Sequence, residues 1–389
     1  MVDAIPALRF AGAGAMTDIR DAVVIGGGPA GSTLAQLLAA AGRHVTLVER
    51  TRGPHDKVCG EFLSHEALHY LHLLGVHPRE LGAVPIETIG LAAGRQITSQ
   101  RLPFHALSLS RRVLDETLID AARVAGADIR RGTSVTALDW KGQYGTARLA
   151  DGGILSARDV FVATGKHDLR GWKRPPASQN DLIGLKLHFQ LTRAQRGELA
   201  GRVELLLFPG GYGGLEPIEN GQANLCLLVR KERFEQAGNS MNVLVDKISS
   251  DCGYLARRLE GAKPIQNRPL AIASIPYGLV RQATSGCWHL GDQAVVIPSF
   301  AGEGMSIALH SAHLAAECYL TGGSAHDYQK HLACDVSAQI RRATLLSHLL
   351  VRRRAQKLVA AGVRFLPSAL AAVAASTRLP ISVMKQASP

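Results

Sequence analysis

The sequence contains no apolar run long enough to span a bilayer, because its best candidate, FLPSALAAVAAS from Phe365, is short and carries a proline. Its six cysteines form no CxxC pair and no spacing typical of a zinc site. We therefore expect no metal centre, and we expect reduced thiols in a cytoplasmic protein. Aromatic residues make up 5% of the chain and do not interleave with the basic residues, which argues against nucleic-acid binding.

The N-terminus also lacks the pattern of a secretion signal, since no charged stretch is followed there by an apolar one. Met16 stands just before the first strand-like run, so a start at Met16 rather than Met1 is a hypothesis. With 389 residues, of which 46% are hydrophobic, the chain is long enough for two or three globular domains.

Basic charge is concentrated near the C-terminus. The formal net charge is +12, and residues 325–389 contribute +8 of it through ten Lys or Arg and two Asp. This region has helix-forming sequence with the cluster Arg352, Arg353 and Arg354 beside several leucines. Two interpretations stay open: a basic amphipathic helix on an anionic membrane surface, or a helix that covers the protein with its basic face in water.

A nucleotide-binding pattern stands near the N-terminus. A β-branched run, residues 23–25, leads into the turn Gly26-Gly27-Gly28-Pro29-Ala30-Gly31, and a helix and a second strand ending on Glu49 follow. Gly26 permits the tight turn, Gly28 lets the backbone approach a pyrophosphate, and Gly31 lets the helix pack closely on the strand. The helix N-terminus attracts phosphate, and Glu49 can accept hydrogen bonds from a ribose.

Two later stretches indicate the same class of ligand. Residues 110–122 have the pattern of a helix with Arg111 in its first turn. Residues 286–312 place Asp292 at a strand end, where it can bind a polyol hydroxyl, and a proline loop then leads into a long helix. A second helix N-terminus aimed at an anion is formed by the N–H groups around Gly302, Gly304 and Met305.

Together these motifs resemble the flavoprotein superfamily of para-hydroxybenzoate hydroxylase and geranylgeranyl reductase. GGGPAGS resembles its dinucleotide motif, Arg111-x-x-Leu114-Asp115 its Arg-x-x-Leu-Asp helix, and GDQAVVIPSFAGEGMSIA its Gly-Asp motif, in order over residues 20–380. The resemblance implies FAD and an α/β fold. In it, a Rossmann-like FAD-binding domain of the glutathione-reductase type accompanies an antiparallel β-sheet substrate domain and C-terminal helices. The implied boundaries are 17–82, 111–178 and 283–325 for the FAD-binding domain, 83–110 and 179–282 for the substrate domain, and 326–389 for the helical region.

The resemblance also implies roles for single residues. Glu49 would hold the adenosine ribose, Arg111 the central part of the cofactor, and Asp292 the ribityl chain. Residues 302–305 would lie beside the flavin pyrimidine ring, where a helix N-terminus stabilises the negative charge of reduced flavin. The predicted FAD-binding residues are Gly26, Gly28, Pro29, Ala30, Gly31, Glu49, Arg50, Cys59, Gly60, Arg111, Gly165, Asp292, Gly302, Gly304 and Met305.

The stretch Lys57-Val58-Cys59-Gly60-Glu61 is similar to a Lys-x-Cys-Gly stretch of the geranylgeranyl reductase branch. There the cysteine lies by the reactive face of the flavin, so the resemblance implies that Cys59 lies near flavin N5 and that Gly60 permits close approach to the ring. Cys59 is therefore a candidate catalytic proton donor to an alkene. The alternative is a thiol that only packs as a small buried hydrophobe.

One motif departs from the superfamily pattern. Many aromatic hydroxylases carry an Asp-Gly pair that serves FAD and NADPH, and here Thr164 replaces the Asp before Gly165, within a basic stretch. NAD(P)H is still the predicted donor, with reduction by another protein as the alternative. The Trp-x-Trp-x-Ile-Pro signature of flavin halogenases is absent from the sequence, which argues against halogenation.

Residues 84–109 and 183–277 alternate apolar and polar side chains, which predicts a sheet over the flavin. Residues 208–217 resemble a Tyr-x-Trp-x-Phe-Pro stretch of the reductase family, with Gly214 at the place of the Trp, which predicts an opened or reshaped pocket. Tyr212 is a candidate catalytic residue of that pocket, with structural packing as the alternative. His105 and His188 are interpreted as strand histidines whose hydrogen bonds are satisfied.

The sequence thus predicts an FAD-dependent oxidoreductase that acts on a hydrophobic small molecule, a prenyl or polyketide lipid, by double-bond reduction. The alternative is an aromatic monooxygenase that uses FAD, NAD(P)H and molecular oxygen, and the third interpretation is an FAD-binding protein without turnover. Peripheral membrane contact through the C-terminal helices stays one of the two open interpretations of that region, and the oligomeric state also stays open.

Overall fold

A computed structural model describes residues 19–284 and 286–384 of the chain. The candidate start at Met16 lies outside the described residues. The strands, in chain order, are β1 Ile19–Ile25, β2 Val45–Glu49, β3 Phe62–Leu63, β4 Val84–Ala93, β5 Gln96–Ser108, β6 Asp128–Arg131, β7 Val135–Lys141, β8 Tyr144–Leu149, β9 Ile154–Val162, β10 Leu182–Gln190, β11 Arg202–Phe208, β12 Gly211–Ile218, β13 Gln222–Arg230, β14 Lys263–Pro264, β15 Leu270–Ala273 and β16 Trp288–His289.

The helices pack on the two sheets that these strands form. In chain order they are α1 Pro29–Ala40, α2 His65–Leu73, α3 Arg111–Val124, α4 Arg193–Leu199, α5 Lys231–Gln236, α6 Met241–Asp251, α7 Gly253–Leu259, α8 Gly304–Leu320, α9 Ala325–Leu350, α10 Arg353–Phe365, α11 Ser368–Ser376 and α12 Ile381–Met384. Short 3₁₀ turns cover Glu219–Gly221, Gly291–Gln293 and Ser299–Ala301.

The first sheet carries the nucleotide-binding unit. Its order is β6-β2-β1-β9-β8-β7, with β16 beside β9, and β6, β2, β1, β9 and β16 run parallel. All five residues of β2 are buried, as is typical of a parallel strand covered on both faces. Helix α1 begins directly after β1 because Gly28 caps it and Pro29 occupies its first turn. The Rossmann-like layer predicted from the sequence is confirmed.

The second sheet has the order β14-β10-β13-β12-β11-β4-β5-β3, with β15 beside β10. It is antiparallel, as predicted, except where β4 lies beside β11, since these two strands run parallel. One face packs against α6 and α7 through residues such as Leu244 and Leu255. The other face packs against the C-terminal helices through Tyr212 and Leu228. The chain passes from one sheet to the other before β3, between β5 and β6, between β9 and β10, and between β15 and β16.

The C-terminal region is helical, as predicted. Helix α9 begins with a capping box formed by Ser324 and Asp327. It packs through Leu332, Val336 and Ile340 on the hydrophobic core that also contains residues of the first sheet. Helices α10 and α11 pack on the second sheet through Val363 and Leu370. Within residues 19–284 and 286–384, no single helix has the length and apolar character to cross a membrane, whereas α10 and α11 together do but are bent by 116°.

A buried ion pair joins the second sheet to α7. Glu204 of β11 is fully buried and accepts hydrogen bonds from Tyr254 Oη at 2.7 Å and from Arg258 Nε at 3.1 Å. Removing one partner of a buried pair leaves an uncompensated charge, which typically costs about 3–5 kcal/mol. The stability of the second sheet therefore depends on Arg258 because its charge neutralises the buried carboxylate of Glu204.

We expect Arg258→Met to lower the free energy of unfolding by about 3–5 kcal/mol, measured by urea denaturation, because Glu204 would lose its cation. The matched control is Arg257→Met, since Arg257 is exposed and only stacks on the ring of Tyr254. That variant should lose about 1 kcal/mol or less. Equal losses of unfolding free energy in the two variants would contradict the role of Arg258 as the cation that Glu204 needs.

Candidate active site

The glycine turn after β1 is shaped by contacts that admit no side chain. Gly26 has φ +110°, a conformation that favours glycine. A Cβ at Gly31 would lie 1.9 Å from the carbonyl oxygen of Gly26, so α1 could not pack on β1 with any larger residue there. The turn borders a cavity of about 410 Å³ that runs along the carboxyl end of the first sheet.

Glu49 ends β2 at the edge of this cavity. Its carboxylate accepts hydrogen bonds from the N–H of Gly27 at 2.7 Å and from the N–H and hydroxyl of Thr51 at 2.9 and 2.7 Å. Burial alone would raise the pKa of Glu49, but the charge of Lys57 and these hydrogen bonds outweigh burial and hold the pKa below its usual value. Glu49 is therefore ionised and fixed in place as an acceptor.

Arg111 lies over the glycine turn and is not a solvated surface charge. Its guanidinium makes a two-point contact with Asp115, at 2.7 and 2.9 Å, and Lys57 Nζ lies 2.9 Å from the same carboxylate. A Cβ at Gly28 would lie 3.4 Å from Arg111 Nη2 and 4.0 Å from Lys57 Nζ. Two cations thus face the N-terminus of α1, where both charge and free N–H groups favour a phosphate.

The third motif forms the far end of the cavity. Asp292 lies 3.7 Å from Lys166 Nζ, which also donates to the carbonyl oxygen of Val58 at 3.0 Å. Gly302 has φ +68°, and a Cβ there would lie 2.8 Å from the ring of Phe62. Gly304 opens α8, and no described atom lies within 4 Å of a Cβ built on it, so the N-terminus of α8 faces open space.

The loop before α8 is held by the C-terminal part of the chain. Arg378 lies 2.6 Å from Glu303 Oε1 and donates to the carbonyl oxygen of Ala301, and the N–H of Leu379 donates to Glu303 Oε2 at 3.3 Å. Burial raises the pKa of Glu303 to about 7, although the charge of Arg378 acts in the opposite direction. The sequence gives little indication of this pairing, because Arg378 stands 75 residues after Glu303.

The basic stretch in place of the Asp-Gly motif faces the cavity. Lys166, His167 and Arg170 line it together with Gly165, which has φ +64°. The hydroxyl of Thr164 donates to the carbonyl oxygen of His167 at 2.6 Å and so closes the turn. These residues therefore border the cavity, with Lys166 half-buried and with His167 and Arg170 exposed at its rim.

A second cavity of about 170 Å³ adjoins the first and lies under the second sheet. Its wall is mostly apolar, and the residues that line both cavities are Val58, Cys59, Lys166, Asp292, Gly304 and Met305. Gly214 of β12 lines the second cavity, and no described atom lies within 4 Å of a Cβ built on it. The absence of a side chain at this position therefore leaves space in the cavity.

Tyr212 is 1% exposed and contributes its ring to the wall of the second cavity. Its hydroxyl lies 3.4 Å from Ser347 Oγ of α9, and burial raises the pKa of that hydroxyl. Its ring packs edge-on against Phe300, with 5.9 Å between centroids. The catalytic role proposed for Tyr212 stays a prediction, and its packing role is visible.

Cys59 lies where the two cavities meet. Its sulfur accepts a hydrogen bond from the N–H of Glu61 at 3.4 Å, and its carbonyl oxygen accepts one from Asn224 Nδ2 at 3.1 Å. The same amide donates to the carbonyl oxygen of Gly60 at 2.9 Å. The backbone of residues 59–60 is therefore held between the two cavities by Asn224 of β13, and its place beside the flavin stays a prediction.

A buried charge cluster that the sequence analysis missed lies behind Cys59. Glu61 and Lys186 both have fully buried side chains and form an ion pair. Glu61 Oε2 accepts from His188 Nε2 at 2.9 Å, and Oε1 accepts the N–H of Arg111 at 2.8 Å. Burial acts to raise the pKa of Glu61, but Lys186 and His188 outweigh it and hold the pKa below its usual value. Since Lys186 and His188 lie two residues apart in a buried strand, their shared face was the available signal.

The tautomer of His188 follows from its neighbours. Gln266 accepts the main-chain N–H of His188 at 2.7 Å through Oε1, so its Nε2 faces the ring and donates to Nδ1 at 3.0 Å. The ring proton therefore resides on Nε2, which donates to Glu61. The interpretation of His188 as a satisfied strand histidine agrees with these contacts.

The residues around the first cavity fit FAD. Thr133 Oγ1 is buried at the cavity wall without a hydrogen-bond partner among the described residues, and Arg111, Lys57 and the N-terminus of α1 converge on one point. FAD would be held by Glu49 at its ribose, by Arg111 and Gly28 at its pyrophosphate, and by Asp292 and the N-terminus of α8 at its flavin end.

Comparisons with known proteins agree with this fit. The sequence profile of the FAD binding domain family matches residues 20–157. The chain is an FAD-dependent oxidoreductase. This flavoenzyme is 28% identical over 317 residues to a menaquinone reductase of Mycobacterium tuberculosis, covering 77% of this chain and 76% of that protein. It is 24% identical over 315 residues to digeranylgeranylglycerophospholipid reductase 2 of Methanopyrus kandleri, covering 76% of each.

The fold of the flavoenzyme is also that of a solved structure. A geranylgeranyl bacteriochlorophyll reductase-like protein from Thermoplasma acidophilum superposes with a TM-score of 0.72 over 95% of this chain and 96% of that one. The sequence identity is 18%, so this likeness speaks to the fold alone. The resemblance to the superfamily of geranylgeranyl reductase and para-hydroxybenzoate hydroxylase is confirmed.

The structure brings most of the predicted cofactor residues to the first cavity. Those that line it are Gly26, Gly28, Pro29, Ala30, Glu49, Arg50, Cys59, Arg111, Gly165, Asp292, Gly304 and Met305. Gly60 and Gly302 line the second cavity instead, and Gly31 packs beneath the glycine turn. The binding role of each residue stays a prediction.

We expect Gly28→Glu to weaken FAD binding by on the order of a hundredfold or more, because the new carboxylate would occupy the phosphate position and pair with Arg111 and Lys57. The measurement is titration of the apoprotein with FAD, followed by flavin fluorescence. Gly28→Ala is the matched comparison: its Cβ meets only the flexible ends of two side chains of the protein, so it should weaken FAD binding less than the glutamate does. Undiminished affinity in the glutamate variant would contradict the placement.

Proposed function

We propose that this flavoenzyme reduces a carbon–carbon double bond in the prenyl part of a hydrophobic molecule. The observation that carries the proposal is the apolar second cavity, which joins the FAD cavity at Cys59, Asp292 and Met305. An apolar chain in the second cavity would reach the flavin end of the first. FAD bound there would supply the hydride for this reduction once the electron donor had reduced it.

The relatives support a lipid-like substrate with a prenyl chain. One is named a menaquinone reductase and another a digeranylgeranylglycerophospholipid reductase. Gly214 supports the same view, since the open space beside it lengthens the apolar cavity toward the second sheet. A nicotinamide is the proposed electron donor, and the basic wall formed by Lys166, His167 and Arg170 offers charge for its phosphates.

The proposal includes contact with a membrane surface on the cytoplasmic side. Helix α10 exposes Leu358 and Phe365, at 75% and 88%, next to the exposed cations Arg353, Arg354 and Lys357. Such a combination is typical of helices that lie in the interface of anionic bilayers. Val373 of α11 lines the second cavity and is itself 36% exposed, so a lipid could enter from that side.

The reaction is tested with a menaquinone that carries a tetraprenyl side chain. Dithionite-reduced holoenzyme is incubated with it in detergent, and the extract is then reoxidised in air so that the quinone ring returns to its starting state. We expect a product heavier by two hydrogens, located in the side chain by mass spectrometry. A product heavier by one oxygen, formed only with NAD(P)H and air, would show that the enzyme is a monooxygenase rather than a reductase. If neither condition gives a product, the proposed substrate class is wrong. Anaerobic bleaching of the flavin by NADPH or NADH tests the donor.

We expect Gly214→Trp to keep bound FAD and to raise KM for the prenyl substrate by at least about tenfold, because the indole would fill space that an apolar chain needs. The measurement is steady-state turnover together with the flavin absorbance of the purified variant. Gly214→Ala is the control, since a single methyl group has open space there. An unchanged KM in the Trp variant would move the substrate out of this cavity.

We expect Phe365→Glu and Leu358→Glu to weaken binding to vesicles of phosphatidylcholine mixed with phosphatidylglycerol by at least about tenfold, measured by flotation. Binding of the unaltered enzyme should fall at high salt and on vesicles of phosphatidylcholine alone. Val124→Glu is the matched control, since Val124 is 89% exposed on α3. Equal flotation of all variants would contradict membrane contact through α10.

A further inference from the structure

We propose that Glu216 is the acid that protonates the substrate, so that the hydride and the proton are delivered from two different walls of the second cavity. This inference rests on the proposed function, since it assigns the proton for the double-bond reduction. The resemblance pointed to Cys59 for this task, and Glu216 stands outside the cofactor motifs.

The side chain of Glu216 is aimed into the second cavity from β12. Glu216 is 3% exposed and lines that cavity. Its Oε1 lies 3.4 Å from Asn224 Nδ2 on the neighbouring strand, whereas its Oε2 is buried with no hydrogen-bond partner among the described residues. A buried carboxyl oxygen without a protein partner requires explanation, and a ligand in the cavity would supply the missing contact.

Glu216 also lies beside the segment that separates the two cavities. A Cβ at Gly60 would be 3.9 Å from Glu216 Oε1, and Asn224 holds the carbonyl oxygens of Cys59 and Gly60. An acid at this position faces the same space as residues 59–60. A substrate carbon near that segment would therefore be within reach of Glu216.

The surroundings keep Glu216 neutral. Burial raises its pKa well above the usual value, and the nearby charge of Glu61 raises it further. Glu61 is the ionised member of the two carboxyls, since Lys186 and His188 both bond to it. When two carboxyl groups share a site and one is held ionised, the other retains its proton.

The other charged groups of the cavity are already paired. Lys166 lies against Asp292 at 3.7 Å, and Arg378 lies 2.6 Å from Glu303. The Cys226 thiol of β13 also lines the cavity, and burial raises its pKa to about 12, so it stays neutral. The charge of Lys186 acts to lower the pKa of Glu216, but Lys186 is the ion-pair partner of Glu61, and burial of Glu216 outweighs its effect.

Reduction of a carbon–carbon double bond adds one hydride, supplied by the reduced flavin, and one proton. As the hydride reaches one carbon, the O–H bond at Glu216 Oε2 breaks and a C–H bond forms at the other carbon. The π bond is lost and Glu216 becomes a carboxylate, which regains its proton from water before the next turnover. Positioned general acids contribute about 10²- to 10⁴-fold to such steps.

Infrared spectroscopy tests the protonation state without any substrate. The holoenzyme at neutral pH should show carbonyl stretches of buried protonated carboxyls that shift in D₂O, one from Glu216 and one from the protonated fraction of Glu303, whose pKa is about 7. The Glu216 band should be the one that is missing in Glu216→Gln and present in Cys59→Ser. Glu235→Gln serves as the surface control, since Glu235 is an exposed residue of α5. A spectrum in which the unaltered enzyme and Glu216→Gln are identical would overturn the proposal whatever the substrate is.

Single-turnover reduction of the tetraprenyl menaquinone by dithionite-reduced holoenzyme tests the role. We expect Glu216→Gln to slow side-chain reduction by about 10²- to 10⁴-fold with unchanged FAD affinity, and Glu216→Asp to recover part of the rate. The rate of the unaltered enzyme should fall at high pH as Glu216 ionises, and the surface control Glu235→Gln should keep the full rate.

The outcomes separate the two proposals. Normal reduction by Glu216→Gln together with a large loss in Cys59→Ser would return the role to Cys59 and overturn this inference. If the unaltered enzyme reduces no prenyl double bond, the proposed function fails, and the infrared band then reports only the charge state of Glu216.

Discussion

The structure depends on one buried carboxylate. Glu61 bonds to Lys186 and His188 of the second sheet and to the first N–H of α3, which belongs to the nucleotide-binding unit. It adopts φ +62°, a conformation that costs a non-glycine residue roughly 1–2 kcal/mol. The ionic hydrogen bonds, of about 1.5–3 kcal/mol each, offset that cost. One side chain thus fixes the position of the two sheets relative to the glycine turn, and with it the place of Cys59 between the cavities.

The same carboxylate sets the electrostatics of the site. A buried ion pair is rarely a net gain in stability compared with apolar residues of similar volume. The pair of Glu61 and Lys186 is therefore best understood through its effect on neighbours. Its negative member lies close to Glu216 and disfavours a second ionised carboxyl there. The position of Glu61 therefore has two effects: Glu61 forms the structural ion pair with Lys186, and its charge favours the neutral form of Glu216.

The cofactor half of the protein was predictable from the sequence because its motifs are local. Gly26, Gly31 and Glu49 lie within one strand–turn–helix–strand unit, and each is required by a contact inside that unit. The Rossmann-like layer and the FAD-binding domain were therefore confirmed. A lone arginine in the first turn of a helix is usually a solvated surface charge, and only the similarity to a known helix motif indicated the largely buried position that the structure gives Arg111.

The substrate half was less predictable because its contacts join distant strands. Glu61 meets Lys186 across 125 residues, and Asn224 reaches Cys59 across 165. Strand alternation predicts which residues share a face, but the register between strands decides which side chains meet. The parallel pairing of β4 with β11 was missed for the same reason. In the sequence, Glu216 stood out only as the residue before Pro217. Its protonation state depends on buried neighbours that the sequence does not place beside it.

The contact of Arg378 with Glu303 and Ala301 has a consequence for biosynthesis. The loop before α8 borders the flavin end of the cofactor cavity, but the residue that holds it is translated 75 residues later. While a nascent chain still lacks Arg378, Glu303 is a buried acid without its cation, even when both β-sheets have formed. The loop at the flavin end of the cofactor cavity is thus completed only by a residue close to the end of translation, and a chain stalled before Arg378 would carry the dinucleotide motif without the contacts that hold this loop.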